Sequence, residues 1–273
     1  MKYIDAKNEI KKEYEKYNNS NFEEIDYCFA EIMNKSVTML QFCEISLKDF
    51  EKAKDIILIH LSLNKPLQKL FNRAYFYGLE FYVNENVLTP RFDSEILVEN
   101  ALKFEFNSIL DLCSGSGCLG LSIKKNRPNA SLTFGDISEK ALECAEINAK
   151  NLKISAKFVK TDMFSNITGQ YDLIVCNPPY IATSEIEKLS SEVKDFDPIL
   201  ALDGGEAGLK FYKILLENLD NFLTEKGKCL IEIGYDQGFL LDLFKQKFEN
   251  VKLVKDYNNQ DRLLIINKEN ELC

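Results

Sequence analysis

Apolar positions in the first eighty residues recur at helical spacing. Ile25, Cys28, Phe29, Ile32 and Met33 fall on one face of a helix, and Ser20 with Glu23 before them forms a capping-box pattern. Ser46 with Asp49 repeats that pattern ahead of Phe50, Ala53, Ile57 and His60. Pro66 suits the first turn of a further helix carrying Leu67, Leu70 and Phe71. No glycine occurs before Gly78. Residues 1–78 therefore read as a small helical bundle. Residues 79–91 change character. Phe81-Tyr82-Val83 and Val87-Leu88 flank Asn84-Glu85-Asn86, which predicts a β-hairpin linker.

From Phe92 to the end, residues 92–273, short apolar runs alternate with helical patterns. Ser94 is placed to cap a helix carrying Ile96, Leu97, Ala101 and Leu102. Candidate strands cover 108–113, 131–135, 156–160, 171–176, 228–233, 250–254 and 261–267. Helical segments fall between most of them, notably 138–150, 206–223 and 236–247. Strand–helix alternation implies an α/β fold with a doubly wound, parallel sheet. Only Lys255 to Gln260 separate the last two strands, too short for a helical crossover, so the last strand is expected to run antiparallel.

Composition narrows the function classes. The chain has 273 residues, 45% of them hydrophobic, which is enough for a sizeable core and argues against disorder. A net charge of −9 argues against holding nucleic acid by phosphate neutralisation, and no stable nucleic-acid binding is expected. The apolar run Ile56 to Ile59, which no other exceeds in length, is too short to span a bilayer, so no membrane role is expected. The eight cysteines, Cys273 among them, include no C-x-x-C and read as reduced, cytoplasmic thiols. His60 is the only histidine. That excludes a His-based metal cluster, makes a Ser-His-Asp triad improbable, and leaves His60 as a half-buried structural residue.

Two stretches carry candidate chemistry. Val175-Cys176-Asn177-Pro178-Pro179-Tyr180 is a buried strand running into a corner it cannot continue through, because each proline lacks an N–H and fixes φ. The corner offers an amide side chain, unpaired carbonyls and an aromatic ring, a set that suits a planar –NH2 group. The same residues also make an ordinary strand-ending turn. Earlier, strand 108–112 runs into Cys113-Ser114-Gly115-Ser116-Gly117 and a helix, a turn that lets a ligand approach the backbone. Asp111 ends the strand before the glycines, and Asp136 ends the next strand, where a ribose-binding acid is expected in such folds. Gly120 falls inside the helix, so the turn is taken to lack the third glycine of a dinucleotide fingerprint, and there is no Walker A lysine. Asp111 would repel phosphate and suit an amino or sulfonium cation.

DLCSGSG with GDIS and TDMF resembles the class I S-adenosylmethionine-dependent methyltransferases. With NPPY, TPRFDSE before the sheet and ALDGGEAGL after it, the chain resembles the glutamine methyltransferases of peptide-chain release factors (the HemK/PrmC type) over most of its length. The resemblance implies S-adenosyl-L-methionine as cofactor. It implies class I release factors as partners, methylated on the glutamine amide of their Gly-Gly-Gln motif. Cys113, Ser114, Gly115, Ser116 and Gly117 would surround the methionine part, with Asp111 near its amino group. Asp136 and Ile137 would take the ribose, and Asp162 and Met163 would border the adenine. Asn177, Pro178, Pro179 and Tyr180 would hold the glutamine amide, and Asn177 would also contact the cofactor. Cys113 stands where the family usually has Gly and is tolerable there if its φ is negative. Phe92 stands where the family usually has Pro. The alternatives are an adenine N6-methyltransferase, which faces the same –NH2 problem, and a binding module that has kept the fold.

Overall fold

A computed structural model describes residues 1–268 of the chain, and Cys273 lies outside them. The chain divides into two compact units. One comprises residues 1–73 with 191–196, and the other comprises residues 74–190 and 197 onward.

The first unit is helical: Tyr3–Lys16, Glu23–Met33, Val37–Leu40, Leu47–Leu63 and Leu67–Phe71, joined by the later turn Ser191–Lys194. Its core is built from Ile10, Tyr14, Ile25, Phe29, Leu40 and Ile57, all fully buried. The Ser46 cap forms as expected, its Oγ accepting the Asp49 N–H at 3.1 Å. The Ser20 capping box does not form. Phe22 N–H donates to the Ser20 carbonyl at 2.9 Å, and this turn puts Phe22, with no capping side chain, at the helix start. Asn34, Asn64 and Asn72 end their helices at φ 51°, 53° and 52°, the left-handed stop usually given to glycine. That is how a segment without glycine before Gly78 can still turn.

His60 is buried rather than half-buried. Its Nδ1 lies 2.9 Å from the Lys65 carbonyl and its Nε2 lies 3.0 Å from a Glu24 carboxylate oxygen. Burial opposes the charged imidazolium, but the Glu24 carboxylate and the Lys65 carbonyl outweigh it and raise the pKa above its ordinary value.

The second unit opens with a hairpin, β1 (Arg73–Phe76, whose first residue still belongs to the helical unit) and β2 (Leu79–Tyr82). The hairpin lies earlier than the predicted 79–91. Its two-residue turn is Tyr77-Gly78 at φ 49° and 71°, the doubly positive pattern of a type I′ turn. Val87 and Leu88 make no strand. Asn84 instead accepts the Asn86 N–H at 2.9 Å in a side-chain-stabilised turn, and Val83 and Val87 are buried with Ala141 and Cys144.

Seven strands follow: β3 (Ser108–Leu112), β4 (Ser131–Asp136), β5 (Lys157–Lys160), β6 (Tyr171–Cys176), β7 (Leu223–Glu232), β8 (Asn250–Lys255) and β9 (Asp261–Asn267). Their order is β5-β4-β3-β6-β7-β9-β8, and β9 alone runs antiparallel to its neighbours. Side chains alternate across the sheet. Leu110, Leu112, Ile174 and Ile231 face the helices Lys210–Phe222 and Leu240–Lys245. Ile109, Leu173, Val175 and Leu230 face Glu95–Ala101, Cys118–Asn126 and Glu139–Leu152. The order reverses between β3 and β6, so their carboxyl ends open onto a crevice, the usual ligand position in such sheets. Among the described residues no helix is long and apolar enough to cross a membrane.

Candidate active site

The crevice is walled on one side by the glycine turn. After β3 the chain passes Cys113, Gly115 and Gly117 at φ 55°, 54° and 77°. A Cβ on Gly115 would meet nothing within 4 Å, so its open side can admit a ligand. A Cβ on Gly117 would press on Ala145 and Phe134 at 3.1 and 3.3 Å. Gly120 sits inside the helix but does the packing work of a third glycine. A Cβ there would lie 2.8 Å from Asp111 Oδ2 and from Phe134, so only glycine lets the helix approach the sheet.

Cys113 departs from expectation, since its φ is positive. Its Sγ donates to Met163 Sδ at 3.7 Å, and Met163 is itself left-handed at φ 49°. Two side chains that disfavour this backbone region thus meet at the crevice, at a cost of roughly 1–3 kcal/mol each.

Cys113, Ser114, Gly115 and Ser116 line the crevice, as do Asp136 and Ile137, and Asp162 and Met163. Asp111 does not. Its Oδ2 accepts the Gly120 N–H at 2.8 Å and its Oδ1 meets no partner. Burial pushes its carboxyl well above the usual range. Asp111 therefore anchors the helix start rather than facing the crevice. Asp136 takes the Gly115 N–H on Oδ2 and the Ser138 N–H on Oδ1, both at 2.9 Å, which ties β4 to the glycine turn. Ser138, not Asp136, caps the following helix through Ala141 N–H. Burial raises the Asp136 carboxyl too, against those backbone donors. Thr161 Oγ1 donates to the Met163 carbonyl at 2.9 Å and fixes the loop that carries Asp162.

The opposite wall is the corner after β6. Asn177 and Pro179 line the crevice, and Pro178 and Tyr180 do not. All peptide bonds here are trans. Among the described residues the Pro178 carbonyl meets no hydrogen-bond donor.

The segment ALDGGEAGL braces this corner. Ile181 N–H donates to Leu202 O at 3.0 Å, Gly204 N–H to Ile181 O at 2.8 Å and Thr183 N–H to Gly205 O at 3.0 Å. A Cβ on Gly204 would lie 2.8 Å from the Pro179 carbonyl, and one on Gly208 would collide with the Tyr180 carbonyl. The glycines let two backbones run in contact. Gln237 completes the brace, donating to Tyr180 O while its Oε1 accepts from Tyr212 Oη and Gly234 N–H.

Sequence reasoning missed three further residues at this edge. Asp197 is buried, accepts the Thr89 N–H, and pairs with Arg91 at 2.8 Å; Arg91 also lines the crevice. Gln237 is the second. Glu232 ends β7 beside the Asn177 corner, one position beyond the Cys176–Ile231 pairing. It is buried, and one of its carboxylate oxygens meets no hydrogen-bond partner. Burial raises its pKa to about 7, against Ser94, Arg262 and Asn177. An acid at the carboxyl end of a predicted strand was the signal that picked out Asp111 and Asp136, and it would also have picked out Glu232. Ser94 does not cap its helix and instead faces Asn177 Nδ2 at 3.5 Å. Phe92 begins a short 3-10 turn, is exposed, and stacks loosely on Tyr257 with ring centres 5.7 Å apart.

Comparison with known proteins places this geometry. Residues 90–194 match the family model "Methyltransferase small domain". A release factor glutamine methyltransferase of Streptococcus pneumoniae is 36% identical over 253 residues, which is 89% of this chain and 91% of that protein. One of Thermodesulfovibrio yellowstonii is 35% identical over all of both chains. The chain belongs to the release factor glutamine methyltransferase family.

Solved structures agree on the fold. A methyltransferase from Pyrococcus furiosus matches with TM-score 0.55 at 18% identity, over 81% of this chain and 100% of that one. The hMettl16 catalytic domain matches with TM-score 0.59 at 16% identity, over 90% and 94%. The enzyme is a class I, S-adenosylmethionine-dependent methyltransferase, and the residues present fit that cofactor. The turn at 113–117 has no basic side chain for a pyrophosphate, Gly115 leaves an open approach, and the Asp136 and Asp162 carboxylates suit hydroxyl donors and a cation. Asp111 and Gly117 are the two expected cofactor contacts that do not line the crevice.

Proposed function

We propose that the enzyme methylates the side-chain amide nitrogen of the glutamine in the Gly-Gly-Gln motif of class I peptide-chain release factors, in the cytoplasm. One observation carries this reading. Asn177 and the glycine turn line a single crevice, and the carbonyl of the next residue, Pro178, meets no hydrogen-bond donor among the described residues. A carboxamide nitrogen is a poor nucleophile because its lone pair is delocalised. A site with two fixed acceptors can compensate by orienting it. The Asn177 Oδ1 and the Pro178 carbonyl each accept one amide N–H and aim the nitrogen across the crevice. Positioning of this kind supplies up to ~7–11 kcal/mol. The same acceptors stabilise positive charge as it develops on nitrogen. S-adenosylmethionine, when bound, supplies a methyl group on a positively charged sulfur. Tyr180, fixed by the brace, packs the corner and keeps water out.

The relatives carry the choice of substrate. Those described above are named for release factor glutamine, and none supports the adenine alternative. A second reading has a specific observation behind it. A ribosomal protein uL3 glutamine methyltransferase of Francisella tularensis is 35% identical over 198 residues, 69% of this chain and 63% of that protein. Both substrates present a glutamine amide, so the crevice chemistry is shared. Mass spectrometry after incubation with labelled S-adenosylmethionine separates them. Label on the release factor glutamine supports the first reading, and label confined to uL3 supports the second.

A single glutamine offers too little surface for specificity, and the helical unit supplies the rest. Phe42 and Leu47 on that unit are 75% and 70% exposed, unusual for large apolar side chains. Replacing both with serine should raise KM for release factor several-fold and leave the affinity for S-adenosylmethionine unchanged. An unchanged KM would remove this face from docking.

A further inference from the structure

His60 is the only histidine of the chain, and both of its ring nitrogens face acceptors. The Lys65 carbonyl, 2.9 Å from Nδ1, can only accept a hydrogen bond, so Nδ1 carries a proton. In a neutral ring the Nε2 lone pair is then aimed at Glu24 Oε2, 3.0 Å away, and a carboxylate oxygen also only accepts. The Tyr14 hydroxyl already donates to that oxygen at 3.2 Å. His60 is 3% exposed, so bulk water does not relieve the conflict. Something positive has to stand between Nε2 and the carboxylate, either a second proton or a metal cation.

A third side chain favours the cation. Glu192, on the turn Ser191–Lys194, brings a carboxylate oxygen within 4.8 Å of both the Glu24 oxygen and the His60 nitrogen. All three residues belong to the helical unit. The two carboxylates carry two negative charges, of which an imidazolium offsets one. A divalent cation on the neutral ring offsets both. The outer contacts are also those of a metal site. A metal-bound histidine usually donates its other N–H to a carbonyl or carboxylate, as Nδ1 does to Lys65, and a ligating carboxylate is itself hydrogen-bonded, as Glu24 is by Tyr14. Ligand atoms on one Zn²⁺ stand about 3.3 Å apart at bond lengths of roughly 2.0–2.2 Å. Glu24 and His60 are therefore nearly in place, and the exposed Glu192 has to move by no more than about 1.5 Å. A single histidine excludes a histidine cluster, but one imidazole with two carboxylates is a donor set that suits Zn²⁺, whereas Mg²⁺ and Ca²⁺ prefer oxygen alone.

We propose that His60, Glu24 and Glu192 form a binding site for a divalent transition-metal cation of the Zn²⁺ class in the helical unit, with solvent as the remaining ligand. The cation takes the place of a proton on Nε2, and Nδ1–H stays on the Lys65 carbonyl. It ties the helices Glu23–Met33 and Leu47–Leu63 to the turn Ser191–Lys194, three segments far apart in the sequence.

The test is a Zn²⁺ titration of the chelator-treated, full-length protein with ¹⁵N-labelled histidine, followed by NMR. Because His60 is the only histidine, one pair of ring-nitrogen signals reports on this site alone, whatever Zn²⁺ the eight cysteines take up. With one equivalent of Zn²⁺ the Nε2 signal should move to that of a metal-bound nitrogen while Nδ1 keeps its proton. Glu192 is exposed, so Glu192→Gln should fold as the wild type does. Changing an outer partner of a metal ligand already costs about 10–100-fold in affinity, so this loss of a ligand should raise the Zn²⁺ concentration needed by about tenfold or more. Ring signals that stay in place in excess Zn²⁺, or a Glu192→Gln protein that titrates as the wild type does, would overturn the metal site and leave the three side chains as an ion pair around a protonated His60.

Discussion

Gln237 donates its side-chain N–H to the backbone carbonyl of Tyr180 at 3.1 Å, across 57 residues of sequence. The same amide accepts the Gly234 N–H at 2.9 Å and the Tyr212 hydroxyl at 3.1 Å. One buried side chain therefore ties the end of β7, the helix Lys210–Phe222 and the Asn-Pro-Pro-Tyr corner together. Two prolines make that corner stiff, but its direction is set by this brace and by the glycine contacts of residues 204–208.

Gln237→Ala should leave the Tyr180 carbonyl and the Gly234 N–H without partners, at about 1–3 kcal/mol, while the Tyr212 hydroxyl keeps the Glu232 carbonyl at 3.1 Å. Thermal unfolding should show the loss. At temperatures where the variant is folded, kcat should fall while the affinity for S-adenosylmethionine holds, because the glycine turn is untouched. Unchanged kcat with lowered stability would make Gln237 a structural residue only.

Cys113 occupies a left-handed position at φ 55°. Left-handed backbone costs a side-chain-bearing residue roughly 1–2 kcal/mol, and glycine gives back roughly 0.5–1 kcal/mol through the unfolded chain. Cys113→Gly should therefore raise stability by about 0.5–1 kcal/mol, seen as a higher denaturation midpoint in urea at unchanged m-value. A less stable variant would mean that the Cys113–Met163 sulfur contact outweighs the strain.

Burial of Glu232 makes stability depend on pH. Its carboxyl is raised by burial from 4.5 to about 7, so the folded state holds a proton that the unfolded chain releases earlier. The stability this contributes is full below the unfolded value and is lost as pH rises through about 7, roughly 3 kcal/mol in all. Glu232→Gln removes the buried charge. It should unfold at a higher temperature than wild type at pH 8 and at a similar temperature at pH 4. A variant less stable than wild type at pH 8 would contradict the raised pKa.

Much of the sheet was legible in the sequence because its strands are short apolar runs bounded by turn residues, and the five-residue link after Lys255 forces the antiparallel end. The hairpin was misplaced because Tyr77-Gly78 lacks the Asn-Gly signal, while Asn84-Glu85-Asn86 imitates it. The crevice residues Cys113 to Ser116, Asp136, Asp162 and Asn177 could be read from strand ends. Three things could not. The sign of φ at Cys113 follows from the turn's closure against β4, through Ser114 N–H to Gly135 O. The direction of the Asp111 carboxylate depends on how closely Gly120 brings its helix to the sheet. The role of Gln237 depends on Tyr180, 57 residues away, which no local pattern encodes.

The most direct measurement is the methyl-transfer rate of Asn177→Ala on release factor, taken with its affinity for S-adenosylmethionine. The substitution removes the side-chain acceptor and keeps both prolines. Affinity should fall only modestly, since Asp136 and the glycine turn remain. The rate should fall by about 10²–10³, the effect of deleting one preorganised polar contact to a transition state. Asn177→Asp, which still accepts hydrogen bonds but places a second carboxylate beside Glu232, should fall between the two. A rate for Asn177→Ala within about tenfold of wild type would contradict the orienting role and leave the corner as a turn that ends a strand.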